Sequence, residues 1–190
     1  MQAVTRNFAD VADIWTPGEL LRKPLAGRFQ SIVRVDFDPS EVLQLQPESL
    51  DLIVSALAFQ FVNDLPGVLA QIRRALKPDG LLLAAMIGGD TLTELRQSFA
   101  AAEAECEGGV SPRVAPFADL RDVGALLQRA GLALPVTDVD RVVVRYGNAF
   151  ALMQDLRRMA MAFILLRFWP LNPDLPNSHP YGGRPPQSGL

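Results

Sequence analysis

The feature that most constrains the fold is a short apolar run that follows directly on a basic helix end, in "RRALKPDGLLLAAMIGGD" (residues 73–90). The apolar part, residues 80–87, is too short to cross a membrane, which takes roughly 20 residues. An uncharged run of this length is typical of a strand that is buried on both faces of a sheet. The sequence therefore predicts an α/β fold in which helices cover a parallel sheet.

Further short apolar segments support this prediction. Residues 31–37, "SIVRVDF", and 50–57, "LDLIVSAL", are predicted as strands. A helix is predicted between the last two strands, with Asp64 as its N-cap and Pro66 in its first turn. Pro78 ends that helix, and the next two residues, Asp-Gly, make the turn into the strand.

The second half of the chain alternates helical and extended patterns. A capping box, "TLTE" at residues 91–94, predicts a helix that ends at Gly108 and Gly109. Another helix is predicted from Asp119 to Gly131, and a last one from residue 148. Between them, residues 136–146 alternate apolar and polar side chains, which predicts a strand at or near a sheet edge.

Charge and rare residues exclude several classes of function. The net charge of −3 gives no basic surface for nucleic acid. The single cysteine, Cys106, excludes an internal disulfide and a cysteine zinc site, which favours a reducing compartment, the cytoplasm. The single histidine, His179, lies in a proline-rich tail, so histidine triads and metal sites are disfavoured and no metal is predicted. No signal peptide or membrane-spanning segment is predicted.

The order strand, helix, "LKPDG" turn and strand resembles that of class I S-adenosylmethionine-dependent methyltransferases, in which a similar turn precedes the fifth strand. "PESLDLIVSALAFQFVNDLPGVLAQIRRALKPDGLLLAAMIGGDTLTELRQSF" looks like one branch of that family. This branch contains the mitochondrial complex I assembly-factor arginine hydroxylase and its bacterial methyltransferase-like relatives. The resemblance covers roughly residues 35–159. It implies a Rossmann-like three-layer sandwich that binds S-adenosylmethionine and transfers its methyl group to an unknown acceptor.

The resemblance also implies a glycine-rich loop after the first strand, where the backbone approaches the cofactor closely. The candidate here is "VADIWTPGELL", with Asp13 before the loop and Gly18 within it. Trp15 and Pro17 stand where small residues are expected. We therefore expect S-adenosylmethionine to bind weakly.

The acid that binds the adenosine half of the cofactor has two candidates. If "VRVDFD" is the family's second strand, Asp36 binds the ribose hydroxyls; if it is the third strand, Asp38 lies near the adenine. The sequence leaves both open. Ser55 and Ala56 complete the set of cofactor-binding candidates.

The segment after the fourth strand of the family faces the methyl acceptor. Its residues here predict an acceptor pocket of Gln60, Phe61 and Asn63, while Asp64 is interpreted as a helix cap. No catalytic residue is assigned. The acceptor is predicted to be a small molecule or a protein, and the resemblance implies a respiratory complex I subunit.

Both ends of the chain depart from the family pattern. The stretch before residue 50 is short for the strands it should hold, and no last strand follows residue 158, so an incomplete sheet is predicted. Residues 1–168 are predicted as a methyltransferase-like domain, in which residues 1–30 form a degenerate cofactor-loop region. Residues 169–190 are predicted as a disordered proline-rich tail. A non-catalytic binding or assembly module, or a protein-arginine hydroxylase, is the alternative function.

Overall fold

A computed structural model describes residues 6–18, 21, 27, 29–110, 113–114 and 116–159. These residues contain four strands, four α-helices and one 3-10 turn, and the elements are, in chain order, β1 (Phe8–Ile14), β2 (Phe29–Val35), β3 (Leu50–Ala56), the 3-10 turn (Phe59–Phe61), α1 (Leu65–Ala75), β4 (Leu76–Ala85), α2 (Thr93–Glu107), α3 (Leu120–Arg129) and α4 (Ala149–Arg158). The chain divides into two compact units, residues 1–88 with 118–138 and residues 89–117 with 139–190.

The first unit contains a parallel sheet with the strand order β2-β1-β3-β4. The adjacency of β3 and β4, which the apolar runs predict, is confirmed by a register from Leu52 opposite Leu81 to Ala56 opposite Ala85. β1 lies between β2 and β3, so the segment before the candidate cofactor loop is a central strand.

Alternate residues of the central strands fill two apolar clusters. Ala12, Ile14 and Ile53 join one cluster, together with the buried face of α1 and half-buried leucines of α3. Val11, Leu52 and Val54 join the other. Because successive side chains of a strand point to opposite faces, the two clusters lie on opposite faces of the sheet.

β4 differs from the sequence prediction in its burial. Leu81, Leu82 and Leu83 are half-buried, and Ala84 and Ala85 are exposed, so the run is not buried on both faces as predicted. The reason lies in the topology: within the described residues β4 is at the end of the strand order and pairs on one side only.

The Lys-Pro-Asp-Gly segment, which is predicted to end the helix and turn into the strand, lies within the first half of β4, because β4 begins at Leu76, directly after α1. α1 ends at Ala75, before Pro78, and Asp79 has a left-handed φ of 61°. A Cβ atom on Gly80 would lie 2.9 Å from the Lys77 carbonyl oxygen and 3.2 Å from that of Leu50. Glycine is therefore required here because β4 passes close to the backbone at the start of β3.

The second unit contains α2 and α4, and here the local signals were less accurate. The predicted capping box is wrong, since α2 begins at Thr93 after Leu92, which is left-handed and gives no side-chain cap. The predicted end of α2 is confirmed by Gly108, whose φ is 68°. Arg113 forms an ion pair with the buried Glu103 of α2.

The predicted strand at residues 136–146 is wrong. The segment forms no strand in the described structure, and it contains the boundary between the two units. Val142 and Val143 are 79% and 80% exposed. The domain boundary predicted at residue 168 and the predicted tail lie outside the described residues.

Candidate functional site

The candidate site lies at the carboxyl edge of the sheet in the first unit. In open α/β sheets, ligands bind in the crevice beyond this edge, where the loops that follow the strands meet. Three segments are relevant here: the loop after β1, the turn after β2 and the segment between β3 and α1. Together with the last residues of β1 and β3, they contain every candidate that the sequence analysis named.

The loop after β1 begins with a buried tryptophan. Trp15 has a left-handed φ of 58°, is 4% exposed, and packs edge-on against Phe37 with the ring centroids 5.2 Å apart. Its indole N–H donates to the Asp36 carbonyl oxygen at 3.0 Å, and its backbone N–H donates to that of Val35 at 3.0 Å. The side chain therefore fills the space between the ends of β1 and β2.

Arg34 of β2 holds the rest of this loop. Its guanidinium donates to the carbonyl oxygens of Gly18 at 2.8 Å and Thr16 at 3.2 Å, and its Nε lies 3.5 Å from Oδ1 of Asp36. The carbonyl oxygens of Thr16 and Gly18 in this loop are thus already engaged by a side chain. The sequence analysis missed Arg34, whose only signal is a basic residue among apolar neighbours near the end of a strand.

Thr16 connects the same loop to β3. Its hydroxyl oxygen accepts a hydrogen bond from the Ala56 backbone N–H at 3.0 Å, and the residue is 2% exposed. The candidates Gly18 and Ala56 are therefore brought to one place by a residue that sequence reasoning did not single out. A threonine inside a loop carries no local signal for such a contact.

Asp13 and Ser55 contribute buried polar atoms at this edge. Asp13 is 8% exposed, and its Oδ1 has no hydrogen-bond partner among the residues that the structure describes. The same holds for Oγ of Ser55, which is 2% exposed. Burial raises the pKa of the Asp13 carboxyl, although hydrogen bonds from Thr16 and the charge of Arg34 oppose that shift. Unpaired buried polar groups are costly and rare, so their presence at a ligand-binding edge indicates a bound water or ligand.

The two candidate acids after β2 have different environments. The Asp36 side chain is 92% exposed beside Arg34. Asp38 is part of a turn, in which its Oδ1 accepts from the Ser40 N–H at 2.7 Å, and this hydrogen bond lowers the pKa of the Asp38 carboxyl. Both side chains are exposed, and each has one partner: Asp36 an ion pair with Arg34, and Asp38 a hydrogen bond within its own turn.

The candidate acceptor residues follow β3. Gln60 and Phe61 lie in the 3-10 turn, and the Gln60 side chain donates to the Leu57 carbonyl oxygen at 2.8 Å while its Oε1 is buried without a partner. Asn63 is exposed, and both its backbone and side-chain N–H groups donate to the buried Glu41. The interpretation of Asp64 as a helix cap is confirmed, because its Oδ1 accepts from the Gly67 N–H at 2.9 Å.

Two further findings concern the kinds of site that the described residues contain. They contain no group of three or more histidine, cysteine, aspartate or glutamate side chains that could hold a metal ion. None of their helices has the length and apolar character needed to span a membrane.

Comparison with known proteins agrees with this geometry. Residues 16–84 match the family described as a methyltransferase domain. Among solved structures, YcgJ from Bacillus subtilis superposes with a TM-score of 0.50 at 16% identity, over 68% of this chain and 64% of that one. Phosphoethanolamine N-methyltransferase 2 of Haemonchus contortus, solved with S-adenosylmethionine, gives a TM-score of 0.50 at 18% identity, over 68% of this chain and 34% of that one.

This is a methyltransferase-like fold. The predicted Rossmann-like class and its incomplete sheet are confirmed, with four strands in the described sheet.

Curated relatives are more similar in sequence. The arginine-hydroxylase NDUFAF5, mitochondrial, of Mus musculus is 50% identical over 119 residues, which is 63% of this chain and 35% of that protein. The malonyl-[acyl-carrier protein] O-methyltransferase of Laribacter hongkongensis is 44% identical over 117 residues, 62% of this chain and 37% of that protein. The chain spans between 26% and 39% of the length of such relatives. The resemblance to this branch of the methyltransferases, stated from the sequence, is confirmed.

Proposed function

We propose that this chain is a methyltransferase-like protein that binds S-adenosylmethionine at the carboxyl edge of its sheet and transfers the methyl group to an acceptor. One observation carries the proposal. Near the ends of two adjacent strands of a methyltransferase-like fold, Asp13 and Ser55 have buried polar atoms, one on each face of the sheet, that have no partner among the described residues, at the edge where such folds bind ligands. A ligand with polar groups that lies across the strand ends would supply those partners.

The residues present fit this cofactor in several respects. Among the described residues, no atom lies within 4 Å of a Cβ atom built on Gly18, so these residues leave space beside the outer part of the loop after β1. We assign Asp13, Gly18, Ser55 and Ala56 to the methionine side, on the loop and strand end that Thr16 joins. When bound, the cofactor supplies the methyl group, and the chain's own part is to hold and orient the two reactants.

Asp36 is the ribose acid in this proposal. The direct pairing of β2 with β1 supports the interpretation of β2 as the family's second strand, and the Asp36 carboxylate is exposed beyond the end of β2. A carboxylate in this position accepts hydrogen bonds from two neighbouring hydroxyl groups. Asp38 then serves the turn that follows.

Cofactor binding is expected to be weak. Arg34 engages the carbonyls of Thr16 and Gly18, and it also competes for Asp36. Each polar contact that the cofactor loses costs roughly 1 kcal/mol or more of binding free energy. For three lost contacts we take about 4 kcal/mol, which corresponds to about three powers of ten in affinity. A site that would otherwise be micromolar therefore moves toward the millimolar range.

Calorimetric titration of the purified chain with S-adenosylhomocysteine tests the proposal. We expect weak binding that Asp36→Ala reduces further and that Asp38→Ala, the matched variant two residues away, leaves nearly unchanged. Low-micromolar binding that Asp36→Ala abolishes would overturn the expected weakness and support a fully active enzyme. No binding at millimolar ligand would refute the cofactor proposal itself.

The loop after β1, whose carbonyl oxygens accept hydrogen bonds from Arg34, also supports a second candidate function. This function is that of a non-catalytic module that binds a partner. A loop whose carbonyls are already paired with Arg34 is stable without a ligand. If no cofactor binds and the chain still folds cooperatively, this second function is favoured.

The acceptor is proposed from the relatives alone. One curated relative is named an arginine-hydroxylase and another a malonyl-[acyl-carrier protein] O-methyltransferase, and the second name supports an acceptor that is bound to a protein. A respiratory complex I subunit is the specific partner that the sequence resemblance suggests. The candidate residues toward the acceptor are Gln60, Phe61 and Asn63, and a cytoplasmic location stays a prediction from the cysteine content.

A further inference from the structure

A buried carboxylate lies behind the candidate acceptor residues and has no role in the site described so far. Glu41 is 7% exposed, and its side chain lies at the start of α1. Oε1 accepts from the Asn63 backbone N–H at 2.7 Å and from Asn63 Nδ2 at 3.2 Å, and Oε2 accepts from the Asp64 backbone N–H at 2.8 Å. Both carboxylate oxygens of the buried Glu41 thus accept hydrogen bonds from one short segment, residues 63–64.

The backbone of the same residue is held on its other side. The Glu41 N–H donates to the Asp38 carbonyl oxygen at 2.8 Å, which ties it to the turn after β2. The Gln71 amide of α1 donates to the Glu41 carbonyl oxygen at 2.9 Å and accepts from the Leu43 N–H at 2.8 Å. Glu41 therefore connects the cofactor-side turn to the acceptor-side segment through one residue.

The backbone conformation of Glu41 is an uncommon one that its contacts hold in place. Its φ is 54°, in the left-handed region that residues other than glycine seldom adopt. Such a conformation persists where contacts on several sides fix it, and here the side chain and both backbone polar groups are bonded. Charge-assisted hydrogen bonds to backbone N–H groups are also among the stronger ones in proteins.

We propose that Glu41 is a positioning residue that couples the cofactor-side turn, residues 36–38, to the acceptor-side segment, residues 60–64. The proposal rests on the proposed function, which assigns these two segments to the two reactants. Ligand bound at the turn orders residues 60–64 through Glu41. The acceptor pocket is then completed when the cofactor is present.

Hydrogen exchange measured by mass spectrometry on the full chain, with and without millimolar S-adenosylhomocysteine, tests this coupling. Glu41→Gln replaces one acceptor oxygen by an NH₂ group that cannot accept from an N–H. Glu48→Gln is the matched control, since Glu48 also has a left-handed φ, 48°, but is exposed.

Without ligand, we expect exchange in residues 59–64 to rise by about tenfold or more in Glu41→Gln, as loss of a charge-assisted hydrogen bond implies, and not in Glu48→Gln. With ligand, the wild-type chain and Glu48→Gln gain protection in both segments. Glu41→Gln gains it around residues 36–38 only. If Glu41→Gln does not fold, Glu41→Asp, which keeps the charge and shortens the reach, carries the same expectations.

Three results would overturn the proposal in distinguishable ways. Unchanged exchange of residues 59–64 in the unliganded variant removes the positioning role. Faster exchange spread equally over β3 and α1 shows a structural role alone. Failure of the wild-type chain to bind the ligand refutes the proposed function, and the coupling with it, while the measurement without ligand still tests whether Glu41 holds the segment.

Discussion

At the scale of one residue, Asp13 is a candidate binding residue whose burial lowers the stability of the folded protein. Its carboxylate is buried in the central strand with one oxygen unpaired, and burial raises its pKa. An acid with a raised folded-state pKa favours the folded state most when it is protonated, below the unfolded value of 3.8. As the pH rises from 3.8 through the folded pKa, this group makes the folded state progressively less stable, and above that pKa the penalty is constant.

Asp13→Asn should therefore stabilise the protein at neutral pH. Asparagine has nearly the same shape but carries no charge to desolvate. Urea denaturation at pH 7 should give a higher midpoint for the variant, and the difference should shrink as the pH falls toward 3.8. Asp36→Asn, at a side chain that is 92% exposed, is the control and should shift the midpoint little at either pH. A lower midpoint for Asp13→Asn at pH 7 would show that the charge is needed for folding.

At the scale of the element, α1 is the helix whose limits are most completely explained by local chemistry. Asp64 caps it through the Gly67 N–H, and a Cβ atom at Gly67 would lie 2.1 Å from the Asp64 carboxylate, so a larger residue there would move the capping side chain. Val68, Leu69 and Ile72 are at most 2% exposed and form the buried face that the spacing predicts.

We expect Asp64→Ala to lower the free energy of unfolding by about 1 kcal/mol, the usual cost of losing an N-cap. Asp64→Asn keeps an acceptor oxygen and should cost only a few tenths of that amount. Chemical denaturation of both variants gives the comparison. Equal losses in the two would mean that the charge of Asp64, rather than its hydrogen bond, stabilises the helix start.

The same scale shows where sequence reasoning succeeds and where it cannot. α1 and the pairing of β3 with β4 were predictable because propensity, capping and burial all favour one structure. Residues 136–146 have the alternation of a strand, but a strand also needs a partner, and the partner is a non-local property. The same limit applies to the candidate site. Asp13 and Asp36 were proposed from the resemblance to the family's cofactor loop and ribose-binding acid. Arg34 and Glu41 act through contacts with residues 16 or more positions away, which no local pattern indicates.

At the scale of the whole sheet, the amino edge opposite the candidate site is held by a polar network that joins all four strands. The Lys77 ammonium of β4 lies 2.8 Å from Oδ2 of Asp10 in β1 and 3.2 Å from Oδ2 of Asp51 in β3. The Ser31 hydroxyl of β2 donates to the other oxygen of Asp10 at 3.1 Å, and the Asp10 N–H donates to Asp51. Because this network holds the strands together at the amino edge, the loops at the opposite, carboxyl edge are not needed for that purpose and are available to bind a ligand.

The pKa directions of this network fix the pH range in which it stabilises the fold. Hydrogen bonds from Lys77 and Ser31 lower the pKa of Asp10, and the backbone N–H of Asp10 is the main cause that lowers the pKa of Asp51. These contributions are present above the unfolded value of 3.8 and are lost as the pH falls through the folded values. The hydrogen bond to Asp10 raises the pKa of Lys77, whose contribution is present below 10.5 and is lost as the pH rises through its folded value.

Lys77→Met should accordingly lower the denaturation midpoint throughout the neutral range, because it leaves two carboxylates facing each other without their cation. The loss should shrink as the pH falls from 3.8 through the lowered folded pKa values of the two carboxylates, and again as the pH rises from 10.5 through the raised folded pKa of Lys77. Arg74→Met, at an exposed cation in the last turn of α1, is the control and should change the midpoint little and without this profile. A loss in Lys77→Met that is constant from pH 3 to pH 7 would mean that the side chain stabilises the sheet by packing of its methylene chain rather than by joining the strands through charge.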